Sequence, residues 1–293
     1  MNTERGCLEK GKIVLACMAL CGGIALASFS VAASQLTRRT SEAFDRYVRA
    51  AETGANGDVA AGKNFLWMDA MPQAEGSRDY ARLRRGEVVV QKNKRCEPSG
   101  CEQVPGGLIH DWIGMVFVPG ASLSETLAVL EDYAHDSEYY PAQVVGSKLI
   151  GQSGDDFHVY LRLRQVEIIT VILDTEYDIR YTRMDSLHAY SRSYSTRIAE
   201  VEGAGTPREH DAAAGNDHGF LWRLNSYWRF YEADGGVYIQ CEAISLTRDV
   251  PTGLGWLIGG FIERIPAESL RSTLLETRTA VLGQIHLKEE KPK

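Results

Sequence analysis

The 293-residue chain predicts an α+β fold, a curved antiparallel sheet of about seven strands wrapped on a long C-terminal helix. Three observations predict it. Several runs between residues 144 and 248 alternate apolar and polar side chains, the period of a half-buried strand. Residues 220–232 and 237–248 are long strand-like runs joined by Asp234-Gly235-Gly236, a hairpin-turn signal. After Asp249-Val250-Pro251 the pattern turns Gly-rich and apolar, then helical to about Leu282. A helix laid across the concave face of such a sheet builds a container for something apolar.

The first 33 residues stand apart. Arg5, Lys10 and Lys12 precede an uncharged stretch, 13–34, rich in Ala, Leu, Cys and Gly. Ala25-Leu26-Ala27 or Val31-Ala32-Ala33 then offers small-residue cleavage sites, so residues 1–33 read as an export signal. The competing reading is an uncleaved membrane anchor, since about 20 apolar residues suffice to span a bilayer. Either way the expected location is extracytoplasmic, periplasmic or secreted. Cysteine usage agrees: Cys96 and Cys101 bracket the turn-forming Glu97-Pro98-Ser99-Gly100, and in an oxidising compartment they are expected to form a disulfide. Cys241 lies in an apolar strand and reads as an inert buried thiol.

Residues 34–85 read as a helical extension. Leu36, Phe44, Tyr47, Val48 and Ala51 recur at helical spacing; a small polar loop and the apolar patch Phe65-Leu66-Trp67-Met68 follow. The main domain then spans 86–287, leaving 288–293 as a polar tail. Its elements are predicted in order. Residues 87–91 and 108–118 are strands, and Pro119-Gly120 stops the second. Residues 122–136 are an amphipathic helix, with Ser122 as N-cap, Glu125 at the capping-box position, and Leu123, Leu127, Leu130 and Tyr133 or Ala134 as its apolar stripe. Strands follow at 144–150, 157–164, 169–181 and 187–201. On two of them Phe157, Val159, Leu161 and Leu163 oppose His158, Tyr160, Arg162 and Arg164, while Val171, Leu173, Tyr177 and Ile179 oppose Asp174, Glu176, Asp178 and Arg180. Those charges are expected on a solvated outer face, pairing across strands.

The order is strand, helix, six strands and a long helix, with one extra strand in front. Over about residues 105–287 this resembles the START/Bet v 1-like superfamily, the SRPBCC or polyketide cyclase-like group, whose fold is the helix-grip. The resemblance rests on that order and on two local signatures. One is a strand passing through Pro119 into a helix and Tyr139-Tyr140-Pro141; the other is the hairpin with Gly235-Gly236, ending in Asp249-Val250-Pro251. It implies a hydrophobic small molecule or lipid held between sheet and helix. Some members of the group are cyclases, aromatases or hydrolases, but no catalytic residue carries over to this chain.

The alternation assigns the cavity lining. On the first strand of the hairpin Phe220, Trp222, Leu224, Trp228 and Phe230 share a face; on the second Val237, Ile239, Cys241 and Ala243 do. The expected lining is therefore Trp222, Leu224, Trp228, Phe230, Ile239 and Ala243 from the sheet. Trp256 and Phe261 come from the glycine-rich run, and Leu270 and Leu274 from the final helix. Large beside small side chains either interdigitate as a filled core or leave a groove. Pro266 is expected in the first turn of that helix, with Ile265 extended before it, leaving the run 253–262 as a lid or a membrane-dipping surface, or as the buried start of the helix.

Other chemistry is thinly represented. A net charge of −7 without a Lys/Arg-dense run argues against nucleic acid. Glu209-His210-Asp211 with His218 lacks the spacing that presets metal ligands, and no phosphate loop, nucleophile elbow or CxxC is present. No catalytic residue, metal or cofactor is expected. The leading expectation is an exported, non-enzymatic binding protein for a hydrophobic ligand, with possible transient membrane contact. A cyclase- or hydrolase-like enzyme in the same cavity and an interaction module with a filled core are the alternatives.

Overall fold

The computed structural model describes residues 36–60, 64–93, 104–166, 170–213, 216–249 and 255–289; for 56–60, 255–263 and 288–289 it describes the backbone alone. Residues 1–33, read from the sequence as an export signal, and the Cys96/Cys101 turn lie outside the described residues.

Nine strands form one sheet: β1 (Val89–Lys92), β2 (Gly107–Pro119), β3 (Val144–Ser153), β4 (Asp156–Val166), β5 (Thr170–Arg183), β6 (His188–Glu202), β7 (His210–Asp211), β8 (Arg223–Ala233) and β9 (Gly236–Arg248). They run β1-β2-β9-β8-β6-β5-β4-β3, every neighbour antiparallel, with β7 paired to β6 off that path. The helices are α1 (Arg38–Ala60), α2 (Gln73–Arg84), α3 (Leu123–Leu130), α4 (Asp136–Tyr139) and the 35-residue α5 (Gly255–Glu289). This is the α+β helix-grip arrangement expected from the sequence, a curved antiparallel sheet with a long C-terminal helix. Register shifts at Val144/Gly146, Leu149/Gly151 and Glu176/Tyr177 mark β-bulges, which bend strands and increase twist. The sheet therefore curves.

Its outer face follows the expected charge ladder where β4 meets β5. Arg162 stands opposite Asp174 in register and grips it with two bonds of 2.8 and 2.9 Å; Tyr160 donates to the same carboxylate at 2.6 Å, and His158 sits 2.8 Å from Asp178. Over β2, β8 and β9 the outer face is covered. Phe44, Val48 and Ala51 of α1 pack on Trp222, Ile244 and Leu246. Leu66, Met68 and the α2 residue Leu83 pack on Val89, Met115, Phe117 and Tyr238. Hydroxyls reinforce the contact: Tyr194 and Tyr227 both donate to Glu52, at 2.6 and 2.9 Å, and Tyr47 donates to Asp111 at 2.7 Å.

The β8–β9 hairpin closes in two residues, because Ala233 already pairs with Gly236. Asp234 and Gly235 both have positive φ, 53° and 74°, the conformation that matches strand twist in a tight hairpin. Gly236 is constrained by space: a Cβ there would stand 2.3 Å from the Val118 carbonyl oxygen.

Three elements differ from expectation. The helix predicted over 122–136 stops at Leu130. Its start has the predicted capping box, Ser122 Oγ accepting from the Glu125 N–H at 3.3 Å and Glu125 accepting back from the Ser122 N–H at 3.2 Å. It ends because Asp132 leaves helical geometry (φ −89°, ψ 57°), its carboxylate engaging His135 Nδ1 at 2.8 Å and the Tyr139 hydroxyl at 2.9 Å. A short acidic side chain that finds local partners competes with helix. A 3-10 turn (Tyr133–His135) and α4 follow.

Pro266 lies inside α5, not in its first turn, and the helix runs through the glycine-rich segment from Gly255. Glycine weakens a helix by about 1 kcal/mol per residue without barring it, and a proline withholds one donor. The sequence spaces Leu270, Leu274, Thr277, Val281 and Leu282 as the helix's apolar face; the first four are buried and Leu282 is half-buried. Third, β8 begins at Arg223 and not at Phe220.

Candidate functional site: a cavity beneath the C-terminal helix

The concave face of the sheet and α5 enclose a cavity of about 610 Å³. Its floor is hollow for a reason readable in the register. Ser193 of β6 pairs with Ser226 of β8, and Ser226 with Ala243 of β9, so one row across three central strands carries only small side chains. Leu224 and Ser245 pair in the next row toward one end of β8, and Trp228 and Cys241 pair toward the other. Leu161, Leu163, Leu173, Tyr177 and Ile179 build the far wall from β4 and β5. The roof is α5 at Ile265, Pro266, Ser269, Leu270 and Thr273; Leu130, Tyr133, Asp136 and Tyr140 close one side.

The roof is fastened on both flanks. On one, the Arg271 guanidinium donates to the Val88 carbonyl at 2.7 Å and Arg278 to that of Phe117 at 3.1 Å. On the other, Gln143 Nε2 donates to the Ser269 carbonyl and to Thr273 Oγ1, both at 3.1 Å, and the Ser269 hydroxyl donates to Gln143 Oε1. The Thr277 hydroxyl donates to the Thr273 carbonyl, which leaves its oxygen to accept from Tyr140 at 3.1 Å.

The predicted lining residues divide. Leu224, Trp228, Ala243 and Leu270 lie in the cavity wall. Phe230, Ile239 and Leu274 are fully buried in the solid core beside it, where β2, β9 and α5 pack. Phe230 stacks on Trp228, ring centroids 6.2 Å apart, and so backs the wall without forming it. Trp222 faces the opposite way, under α1, and is not a cavity residue. Its N–H bonds the Leu246 carbonyl at 2.8 Å although Leu246 is already the partner of Arg223. The alternation of β8 therefore does not extend to Trp222, whose indole N–H donates to Asp217 at 2.9 Å. Trp256 and Phe261 belong to the backbone of α5, and their side chains lie outside the described residues, as does the expected pair Cys96/Cys101.

Sequence patterning missed several polar wall residues. Asp136, Tyr140, Tyr181 and Arg164 line the cavity although the pattern assigns them to no inner face, whereas Tyr177 and Cys241 belong to the dry strand faces and Tyr133 to the apolar helix stripe. Burial pushes the Tyr177 phenol up to about 12 and raises the Cys241 thiol well above its ordinary range. Tyr181 donates to the Leu130 carbonyl at 3.1 Å and accepts from Tyr133 at 2.8 Å. The Asp136 carboxyl is held far above the usual aspartate range, first by burial and then by the charge of Asp132. Asp136 sits on α4 and not on a strand, so a two-residue period could not find it; the signal available was an acid inside a segment otherwise rich in Tyr.

Charged residues of the polar stretch after β6 pair with β4 and β6. Glu209 pairs with Arg162 at 2.8 Å, Asp211 with Arg197, and His218 Nδ1 lies 2.8 Å from Glu200. Among the described residues no three His, Cys, Asp or Glu side chains gather as a metal set, and no helix is long and apolar enough to cross a membrane.

The chain is similar to several solved structures at low identity. A STAR-related lipid transfer protein fragment from Xanthomonas axonopodis is 16% identical, with 65% of this chain and 98% of that one covered and a TM-score of 0.41. Human STARD10 is 10% identical, with 75% and 84% covered and a TM-score of 0.42. The Zhui aromatase/cyclase from Streptomyces sp. R1128 is 12% identical, with 62% and 97% covered and a TM-score of 0.39. No family model and no curated protein matches the chain. At these identities the likeness concerns fold and assigns neither ligand nor reaction.

Proposed function

We propose that the chain is an exported, non-enzymatic binding protein that holds a hydrophobic small molecule or lipid between the concave sheet and α5. The observation that carries the reading is the cavity of about 610 Å³, walled mainly by Leu, Ile, Val, Trp and Tyr side chains with a few polar groups among them. That is the composition and size of a small-molecule site. An interior of this volume speaks against the filled-core interaction module. Export and an extracytoplasmic location rest on residues 1–33, and a transient membrane contact would let an apolar cargo exchange without crossing water. The wall residues among those described include one carboxyl, Asp136, and one guanidinium, Arg164, which is why an enzyme acting in the same cavity is the second reading.

Native mass spectrometry of protein recovered from its own compartment tests the proposal. A co-purifying apolar mass is expected. Protein that carries none, and that also fails to bind the hydrocarbon diphenylhexatriene, would overturn it. N-terminal sequencing of the same preparation tests export: a start after residue 27 or 33 is expected of a cleaved signal.

A further inference from the structure

Asp136 is a carboxyl in the cavity wall to which no described residue donates, and it is only 5% exposed. Its polar neighbours are already engaged. Tyr133 donates to Tyr181, Tyr181 to Leu130, Tyr140 to Thr277, and Gln143 to α5. The phenols of Tyr133, Tyr140 and Tyr181 lie near enough to the carboxyl to couple to it electrostatically. A carboxyl that faces an apolar cavity and receives no donor from the chain is open to a partner from outside it.

We propose that Asp136 is the polar anchor of the cavity, and that the ligand is an apolar molecule carrying one hydrogen-bond-accepting oxygen, a ketone, ester or alcohol, at the end lying against α4. This rests on the container reading above and narrows it from any hydrocarbon-like cargo to a monopolar one. Burial, and then the charge of Asp132, raise the carboxyl's pKa well above the ordinary aspartate range and so favour its neutral form, which presents an O–H donor as well as a carbonyl acceptor. A ligand oxygen placed there accepts the O–H, and both groups are relieved of an unpartnered burial. A carboxylate ligand would instead meet Asp132 and an acidic partner, and an alkane would leave the carboxyl as it is.

The test uses two probes of one length, 2-undecanone and undecane, each read by displacement of diphenylhexatriene, a fluorophore with no polar atom. The quantity of interest is the ratio of ketone to alkane affinity. In Asp136→Leu the ratio is expected to fall about tenfold, the order set by leaving one buried carbonyl without a donor. In Asp136→Asn, which keeps an N–H donor, the fall is expected to be smaller. A second measurement needs no variant: the carbonyl stretch of 2-undecanone bound to the wild-type protein should lie at lower wavenumber than in hexane. An unchanged ratio in Asp136→Leu, or a bound stretch equal to that in hexane, overturns the anchor while undecane binding leaves the container standing. Binding of neither probe to the wild-type protein overturns both.

Discussion

Gln143 and Ser269 hold each other in both directions: the Gln143 amide donates to the Ser269 carbonyl at 3.1 Å, and the Ser269 hydroxyl donates to the Gln143 side-chain oxygen. Gln143 lies just before β3 and Ser269 one turn past Pro266, so this exchange ties an edge of the sheet to the roof of the cavity. Proline leaves the helix one backbone bond short near that point. The side-chain latch therefore acts where the roof is intrinsically weakest.

Gln143→Ala removes three hydrogen bonds at once, those to the Ser269 carbonyl, Thr273 Oγ1 and the Ser269 hydroxyl. At about 0.5–1.5 kcal/mol net each, a loss of about 1–3 kcal/mol is expected, since the groups are half-buried and water can replace part of the loss. Urea denaturation measures it. Hydrogen exchange should also quicken in α5 at residues 267–275 more than at 278–285, where Arg278 still holds the helix to Phe117. Equal protection of both segments in the variant would show that Gln143 is not the latch.

A second prediction concerns the hairpin. A Cβ on Gly236 would lie 2.3 Å from the Val118 carbonyl and 2.7 Å from the Phe117 ring, and neither backbone nor a packed aromatic can retreat cheaply. Gly236→Ala is expected to cost about 1–3 kcal/mol by overpacking. Gly235→Ala, with open space but a φ of 74°, is expected to cost about 1 kcal/mol from left-handed strain alone. Thermal unfolding of the two variants separates these mechanisms by rank; the reverse order would mean that the β2–β9 contact yields.

How much of the fold and cavity is legible in the sequence depends on the period a residue obeys. Leu224, Trp228 and Ala243 alternate within paired strands, and the alternation alone puts them toward the helix. The i, i+4, i+7, i+11 spacing of Leu270, Leu274, Thr277 and Val281 is likewise readable. Phe230 and Ile239 obey the same period as the wall residues, yet sit where β2 and α5 close the sheet, and a period says nothing of whether a face is hollow there. Trp222 escapes the pattern because the strand begins one residue later. Asp136 escapes it because Asp132 breaks the helix and turns the next residues onto a new axis. Hollowness itself comes from the register Ser193–Ser226–Ala243, which joins three separate segments and cannot be read from any one of them.

That row gives the most direct test of the cavity. Ala243→Trp places an indole beside Ser226 and toward the open floor, with Trp112 of β2 as its register partner on the other side. The variant is expected to fold, by circular dichroism, and to lose diphenylhexatriene binding by at least about tenfold, because the volume it occupies is the volume the probe needs. The same substitution at Ile239, buried completely in the solid core, should instead destabilise the protein. Undiminished probe binding by a folded Ala243→Trp protein would place the binding site elsewhere.

The last prediction concerns the proton on Asp136. In the unfolded chain this carboxyl titrates near its ordinary value of 3.8; in the fold it holds its proton to a much higher pH. Below 3.8 both states are protonated and the group contributes no pH dependence. Above it the unfolded chain releases a proton that the folded protein retains, so unfolding is favoured increasingly as pH rises, until the folded carboxyl ionises too and the loss is complete. Asparagine is neutral throughout and of nearly the same shape. Asp136→Asn should therefore match the wild type in denaturant stability at pH 3 and exceed it at pH 7, the gap opening from about pH 4 upward. The groups facing the carboxyl are Asp132 and the phenols of Tyr133, Tyr140 and Tyr181; the phenols stay protonated across this range, raised as they are by burial. His135, whose pKa is raised by its bond to Asp132, is present in both proteins, so its contribution cancels in the difference. A gap that is the same at pH 3 and pH 7 would mean that Asp136 is ionised in the fold and that its carboxyl is not a buried neutral acid.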